Sequence, residues 1–155
     1  MGWTVRTAVA GDIEPLLRLM AAFYAEAGFP LDREWAASSF TMLLSRPEWG
    51  SLWLAEASGQ PVGHAALTVR YTMEHGGLSG YIDDLFVEPS WRRQGVARAL
   101  LKALFQACRE RNCRSVLVET GSANAAALGL YGQFGLHPHR DGRLLLVGTL
   151  PGART

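Results

Sequence analysis

Apolar and polar positions change period several times along the chain, and each change marks an element. Trp3, Val5, Thr7 and Val9 alternate, which predicts a first strand over residues 3–9. Asp12 then stands where a helix cap belongs, ahead of Ile13, Leu16, Leu17, Met20, Phe23 and Tyr24 at helical spacing. Pro15 falls in that helix's first turn, where a missing N–H is harmless. Gly28-Phe-Pro30 breaks the pattern, and a second helical stretch over 32–45 ends before Pro47. Residues 51–56 and 62–71 read as two strands around the turn Ser58-Gly-Gln-Pro61, a hairpin signal. A longer strand over 78–87 stops at Pro89. The clearest helix spans 94–111, with Val96, Leu100, Leu104 and Cys108 in one row and Ala97, Leu101 and Phe105 beside it. A short buried strand at 115–120, a helix at 124–134 and a last strand at 144–147 complete the order βααβββαβαβ, with one further strand expected around His137. Three successive strands followed by a strand–helix–strand unit predict an α/β fold with a mixed sheet and helices on both faces.

No repeat, low-complexity tract or Ser/Gly linker divides the 155 residues, so residues 1–155 are expected to form a single domain. Hydrophobic residues make up 48% and charged residues 19%, which excludes global disorder. The net charge of +1 provides no field to attract nucleic acid or a membrane surface, so neither is expected as a partner. Lys102 is the only lysine, so the remaining cations are arginines, side chains whose planar forks suit anions. Cys108 and Cys113 form neither a disulfide framework nor a CxxC zinc pair. The N-terminus lacks an apolar signal core and no stretch approaches the roughly 20 apolar residues of a membrane span. A cytoplasmic protein is the expectation. The four histidines lack metal-ligand spacing, and no metal is expected.

The informative segment runs from Val87 to Leu100, VEPSWRRQGVARAL. A strand ends at Val87 and a turn delivers the chain to a helix start near Gly95. The first turn of a helix presents unpaired N–H groups reinforced by its dipole, which makes an anion site. Gly95 and Ala97 allow close backbone approach, and Arg92, Arg93 and Arg98 add charge, so a pyrophosphate is the physical expectation. The segment is neither a GxxxxGK[ST] loop nor a GxGxxG turn. A second segment, Asn124 to Leu136, places Leu128, Tyr131 and Phe134 at helical spacing, with Asn124 equally suited to capping the helix.

Taken together, Val87-x-Pro89, Arg92-x-x-Gly95-x-Ala97, Asn124 and Tyr131-x-x-x-Gly135-Leu136 resemble the signature of the GCN5-related N-acetyltransferase (GNAT) family. The stretch Tyr81-Ile-Asp-Asp-Leu-Phe-Val87 is similar, over only seven residues, to the diamine (spermidine/spermine-type) branch. The resemblance implies acetyl-CoA as acyl donor, no metal, and a central, mostly antiparallel sheet splayed between the strands near 78–87 and 115–120. It implies that the strand ending at Phe86 and Val87 pairs with the pantetheine amides. It places the pyrophosphate on amides from Arg93 through Gln94, Gly95, Val96 and Ala97 to Arg98, beside the charge of Arg92. Asn124 would contact the pantetheine arm and Tyr131 the thioester sulfur.

The implied reaction is direct transfer of an acetyl group to an amine of a small molecule. The alternatives are a protein or peptide acetyltransferase and a catalytically idle acyl-CoA-binding module. An alkylammonium has a pKa of about 10.4, so neutralising it near pH 7 costs about 4.6 kcal/mol. A base, a water relay or a site that depresses the amine pKa is therefore needed. Asp83 and Asp84 precede the cofactor segment. On a regular strand they face opposite sides, so only one would face the cleft. Asp83, sharing parity with Leu85 and Val87, is the first candidate base, Asp84 the second and Glu119 the third. Tyr131 would give a proton or a hydrogen bond to the departing thiolate. The acceptor side draws on Phe23, Tyr24, Glu26, Phe29, Asp32, Glu34, Trp35, Tyr71, Glu74 and His75, aromatics beside carboxylates that suit a cationic or aryl-bearing amine. Family members are often dimers, which leaves a homodimer open.

Overall fold

The computed structural model describes residues 2–139 and 142–152. The chain divides into two compact units, Met1–Gly121 and Ser122–Thr155. The first holds a five-stranded sheet whose strands lie in sequence order. They are β1 (Trp3–Thr7), β2 (Gly50–Ala57), β3 (Gln60–Thr72), β4 (Gly77–Val87) and β5 (Ser115–Val118). Neighbours from β1 to β4 are antiparallel, and β5 runs parallel to β4. Helices α1 (Ile13–Ala27) and α2 (Arg33–Ser45) separate β1 from β2, and α3 (Val96–Glu110) connects β4 to β5. The second unit contains α4 (Ala125–Gly132).

Local chemistry accounts for these elements. The β2–β3 turn has Ser58 and Gly59 both at positive φ, 50° and 75°, the backbone of a tight two-residue hairpin turn. Asp32 caps α2 by accepting from the Trp35 amide at 2.9 Å. Gly28, at φ 78°, ends α1 in the left-handed conformation that a side chain disfavours. Asp12, expected as the cap of α1, makes no cap hydrogen bond there. It instead accepts both terminal guanidinium nitrogens of Arg6, at 2.8 and 2.9 Å, and the Val9 amide at 2.7 Å. That pins β1 to the helix entrance.

The two sheet faces bury different partners. On one, Leu16, Leu17, Leu19, Met20, Ala36 and Phe40 of α1 and α2 pack on Leu52, Leu54, Ala66 and Phe86. Each fully buried leucine there contributes about 1.5–3 kcal/mol. On the other lies α3, whose buried row Val96, Leu100, Leu101, Leu104 and Cys108 follows the expected helical spacing.

The expected strands at 144–147 and around His137 do not form. Leu144, Leu145, Leu146 and Val147 are at least two-thirds exposed and join no ladder among the described residues. A short apolar run satisfies the sequence pattern of a buried strand, but a strand also needs a partner edge, which the pattern does not supply. No helix among the described residues is long and apolar enough to cross a membrane.

Candidate active site

The β4–β5 ladder is short. It runs from Ser79 opposite Ser115 to Ile82 opposite Val118 and stops there. Residues Asp84–Val87 of β4 stay paired with β3 on one side. On the other side they have no strand partner among the described residues. The sheet is therefore open at the expected place. Ladder alternation decides which backbone groups line the opening. The Glu88 amide donates to the Val62 carbonyl at 2.8 Å, so alternate residues Phe86 and Asp84 also turn their amides and carbonyls toward β3. Leu85 and Val87 consequently present theirs to the open edge. The Val87 carbonyl is already engaged, accepting from Arg92 Nε at 2.9 Å.

A β-bulge interrupts β4 at the same point. Ala66 faces Asp84 while its neighbour Leu67 faces Ile82, so Asp83 is the extra residue. The strict alternation expected across Asp83 and Asp84 thus fails, because one inserted residue resets the parity of the strand. Both carboxylates lie within electrostatic range of Tyr24 on α1 and of each other. Asp83 accepts a hydrogen bond from Thr68 Oγ1. Burial raises the Asp83 pKa above the ordinary carboxylate value; the Thr68 hydroxyl opposes this, and the charges of Asp84 and Glu119 add to it. The Tyr81 phenol is pushed up to about 12 by burial, by its hydrogen bond to Glu119 and by the nearby negative charge. Asp83, Asp84 and Glu119 thus form one acidic cluster beside two tyrosines, at the mouth of the splayed sheet.

The turn from β4 to α3 has a compact, strained backbone. Arg93 and Gly95 are both left-handed, at φ 63° and 86°. Gly95 is the N-terminal cap of α3, and no side chain caps the helix. The first intrahelical bond runs from the Ala99 amide to the Gly95 carbonyl at 3.0 Å. The amides of Val96, Ala97 and Arg98 precede it, and this is the helix end that favours anions. Gln94 donates its side-chain amide to the Ser90 carbonyl at 3.0 Å, bracing the turn. Arg92, expected beside the pyrophosphate, contacts α1 and β4. Its terminal nitrogen donates to Glu26 on α1 at 2.6 Å, and its guanidinium lies 5.7 Å from the Phe86 ring centroid. A second pair, Arg18 with Glu88 at 2.6 Å, also joins α1 to the end of β4. Exposed pairs of this kind add little stability, yet together they hold α1 against the exit of the strand.

In the second unit, Asn124 caps α4 by accepting from the Ala127 amide at 3.1 Å. Tyr131 is buried, and burial raises its pKa, so the phenol keeps its proton near neutral pH. The sequence reading missed the bulge and the placement of Arg92. Two adjacent aspartates inside an apolar strand are a signal for the first, since regular alternation would send one of them into a core. Nothing local signals the second.

A profile of the Acetyltransferase (GNAT) family matches residues 15–136. The aminoglycoside N(6')-acetyltransferase type 1 of Stenotrophomonas maltophilia is 31% identical over 131 residues, 79% of this chain and 81% of that protein. Three other curated N-acetyltransferases are spanned to 48–60% of their length. Among solved structures, an integron cassette protein from the mobile metagenome of Cole Harbour Salt Marsh superposes with a TM-score of 0.83 at 40% identity, covering 96% of this chain and 91% of that one. The aminoglycoside acetyltransferase AAC(6')-Iy, solved with a CoA-containing bisubstrate analogue, has the same fold, with a TM-score of 0.81 at 19% identity over 97% and 99% of the two chains.

Proposed function

The chain belongs to the acetyltransferase (GNAT) family, and on that premise we propose that it transfers acetyl groups to a primary amine of a small cationic molecule. It is an acyltransferase, with acetyl-CoA as its donor. The observation that carries the acceptor reading is the cluster of Asp83, Asp84 and Glu119 beside Tyr24 and Tyr81. Carboxylates beside aromatic faces attract an ammonium ion and its apolar carbons together. The similarity to an aminoglycoside acetyltransferase supports a polyamine-like acceptor.

The donor is held by the first turn of α3. The amides from Arg93 to Arg98 face the pyrophosphate, and Gly95 lets the backbone approach it. The pantetheine lies along the open edge of β4, where Leu85 and the Val87 amide offer hydrogen bonds as a partner strand would. Arg92 acts through α1 and the Val87 carbonyl rather than on the phosphates, and Asn124 meets the pantetheine arm while it caps α4.

The ammonium of the acceptor gives its proton to the acidic cluster, directly or through water. Asp83 is the better-poised base, because its raised pKa lies nearer the working pH than that of an ordinary carboxylate. The free amine attacks the thioester carbon, and the Val87 amide stabilises the negative charge developing on the carbonyl oxygen. As the C–N bond forms and the C–S bond breaks, Tyr131 delivers a proton to the departing thiolate, and the second proton, lost from the nitrogen as it becomes an amide, returns through water to the phenolate.

Release of free CoA thiol with a panel of polyamines, aminoglycosides, amino acids and N-terminal peptides tests the reading. Multiply charged small amines are expected to give the highest kcat/KM. Turnover confined to peptides would move the acceptor class to proteins. Tight CoA binding without turnover on any amine would make the chain an idle binding module.

A further inference from the structure

Among the described residues, the only buried side-chain nitrogens or oxygens without a hydrogen-bond partner are the two ring nitrogens of His64. The residue is fully buried on β3, opposite Phe86 of β4 and Leu54 of β2. Phe40 from α2 meets its ring edge-on at 6.4 Å between centroids, and Phe86 lies tilted at 6.3 Å. An aliphatic side chain would fill this position without burying polar atoms. An unsatisfied buried polar group costs about 1–3 kcal/mol, so the imidazole needs a reason to be there.

The carboxylate it faces is that of Asp84, whose oxygen lies 3.7 Å from His64 Nε2. Strand alternation brings the two together: the register with β3 is regular from Asp84 to Val87, so Asp84 shares the face of Phe86, opposite His64 and Ala66. Asp84 is itself mostly buried, its side chain 13% exposed. The charged and titratable groups near the pair are Asp83 on β4 and Tyr24 on α1. The contacts from α2 and β2 are Phe40 and Leu54. A ring nitrogen carrying a lone pair would repel the carboxylate, whereas one carrying a proton would attract it. A movement of about 0.8 Å closes the gap to an ordinary N–H···O bond.

We infer that His64 is a positioning residue for acetyl transfer: its imidazole, with the proton on Nε2, stands behind Asp84 and orients that carboxylate toward the acceptor amine. Phe40 and Phe86 fix the ring plane, so the direction of the N–H is set before substrate arrives. The inference rests on the reading that the amine binds at the Asp83–Asp84 end of β4.

Four variants test it, with kcat and KM measured for an accepted polyamine or aminoglycoside across pH. His64→Gln places an amide N–H near the former Nε2, while His64→Asn reaches only the Nδ1 position and His64→Leu offers none. His64→Leu and His64→Asn are expected to lose roughly tenfold or more in kcat/KM for the amine, the effect of losing one hydrogen bond to a charged group. Their acid limb moves to higher pH and their KM for acetyl-CoA is unchanged. His64→Gln is expected to recover activity to within about threefold of the parent. Thermal melts and acetyl-CoA binding identify any variant that misfolds; if His64→Leu does so, the Gln and Asn pair decides. Equal losses in Gln and Asn, tracking stability with an unmoved pH profile, would overturn the inference. Asp84→Asn separates the two readings. If it retains parental turnover, the acceptor-site reading fails. If it is inactive while His64→Leu behaves like the parent, only the role of His64 falls.

Discussion

Gly80, in the middle of β4, tests how closely α3 must lie against the strand that shapes the active site. A Cβ added there would stand 2.5 Å from Cys108 Sγ, 3.1 Å from Leu67 Cδ1 and 3.8 Å from Val116 Cγ2. The first distance is shorter than any real contact, and the sulfur belongs to a short, buried side chain on a packed helix. Either α3 or β4 must give way. Overpacking of this kind costs about 1–3 kcal/mol. The alanine recovers roughly 0.5–1 kcal/mol of glycine's extra chain entropy. A net loss of about 1–2 kcal/mol follows for Gly80→Ala, or ~2–8 °C in Tm for a domain of this size. Cys108→Ala alone leaves a small void and costs about 1 kcal/mol. In the double variant the new methyl occupies the space the sulfur left, so the two changes compensate by at least about 1 kcal/mol. Urea unfolding followed by the fluorescence of the five tryptophans measures all four corners of the cycle. Burial pushes the Cys108 thiol up to about 12, so it should also resist thiol reagents until the chain unfolds. Additive single effects, or a Gly80→Ala protein as stable as the parent, would refute the packing of α3 against β4 described here.

The remaining predictions concern the site. Tyr131→Phe should lower kcat by well over tenfold with little change in acetyl-CoA binding, because general acid catalysis contributes about 10²-fold or more; unchanged turnover removes Tyr131 from the mechanism. Gly95→Ala forces a Cβ into a left-handed backbone at φ 86° and should cost about 1–2 kcal/mol while raising the KM for acetyl-CoA; a normal KM would show that the turn does not hold the donor. Asp83 has a raised pKa in the fold, so its stabilising contribution is present at low pH and is lost as pH rises through the folded value. Asp83→Asn should therefore melt higher than the parent near pH 7, with the gap closing toward about pH 4, and differential scanning calorimetry across pH checks the sign.

Much of the architecture was legible because it rests on local patterns. The row of Val96, Leu100, Leu104 and Cys108, each four residues from the next, requires a helix with one buried face, and α3 has that face. The Ser58-Gly59 turn requires a hairpin whatever surrounds it. The signature from Val87 to Ala97 announced the turn itself, since the strand end, the left-handed Gly95 and the bare first turn of α3 are all set within a dozen residues. The run Leu144–Val147 carried an equally good strand pattern and formed none, because pairing depends on a distant edge rather than on the run itself.

The sequence by itself therefore determined the family and the order of elements from β1 to α4, both products of short-range spacing. The tertiary structure decided where the carboxylates lie. A single inserted residue relative to β3 resets the strand at Asp83, beside Asp84; Glu119 lies within electrostatic range of Asp83, and the pairing with β3 backs Asp84 with a buried histidine. A bulge is a mismatch between two strands, so it is a property of the pair and cannot be read from either strand alone. Arg92 makes the same point: its 2.6 Å contact with Glu26 comes from α1, 66 residues away in sequence, and no local spacing announces it.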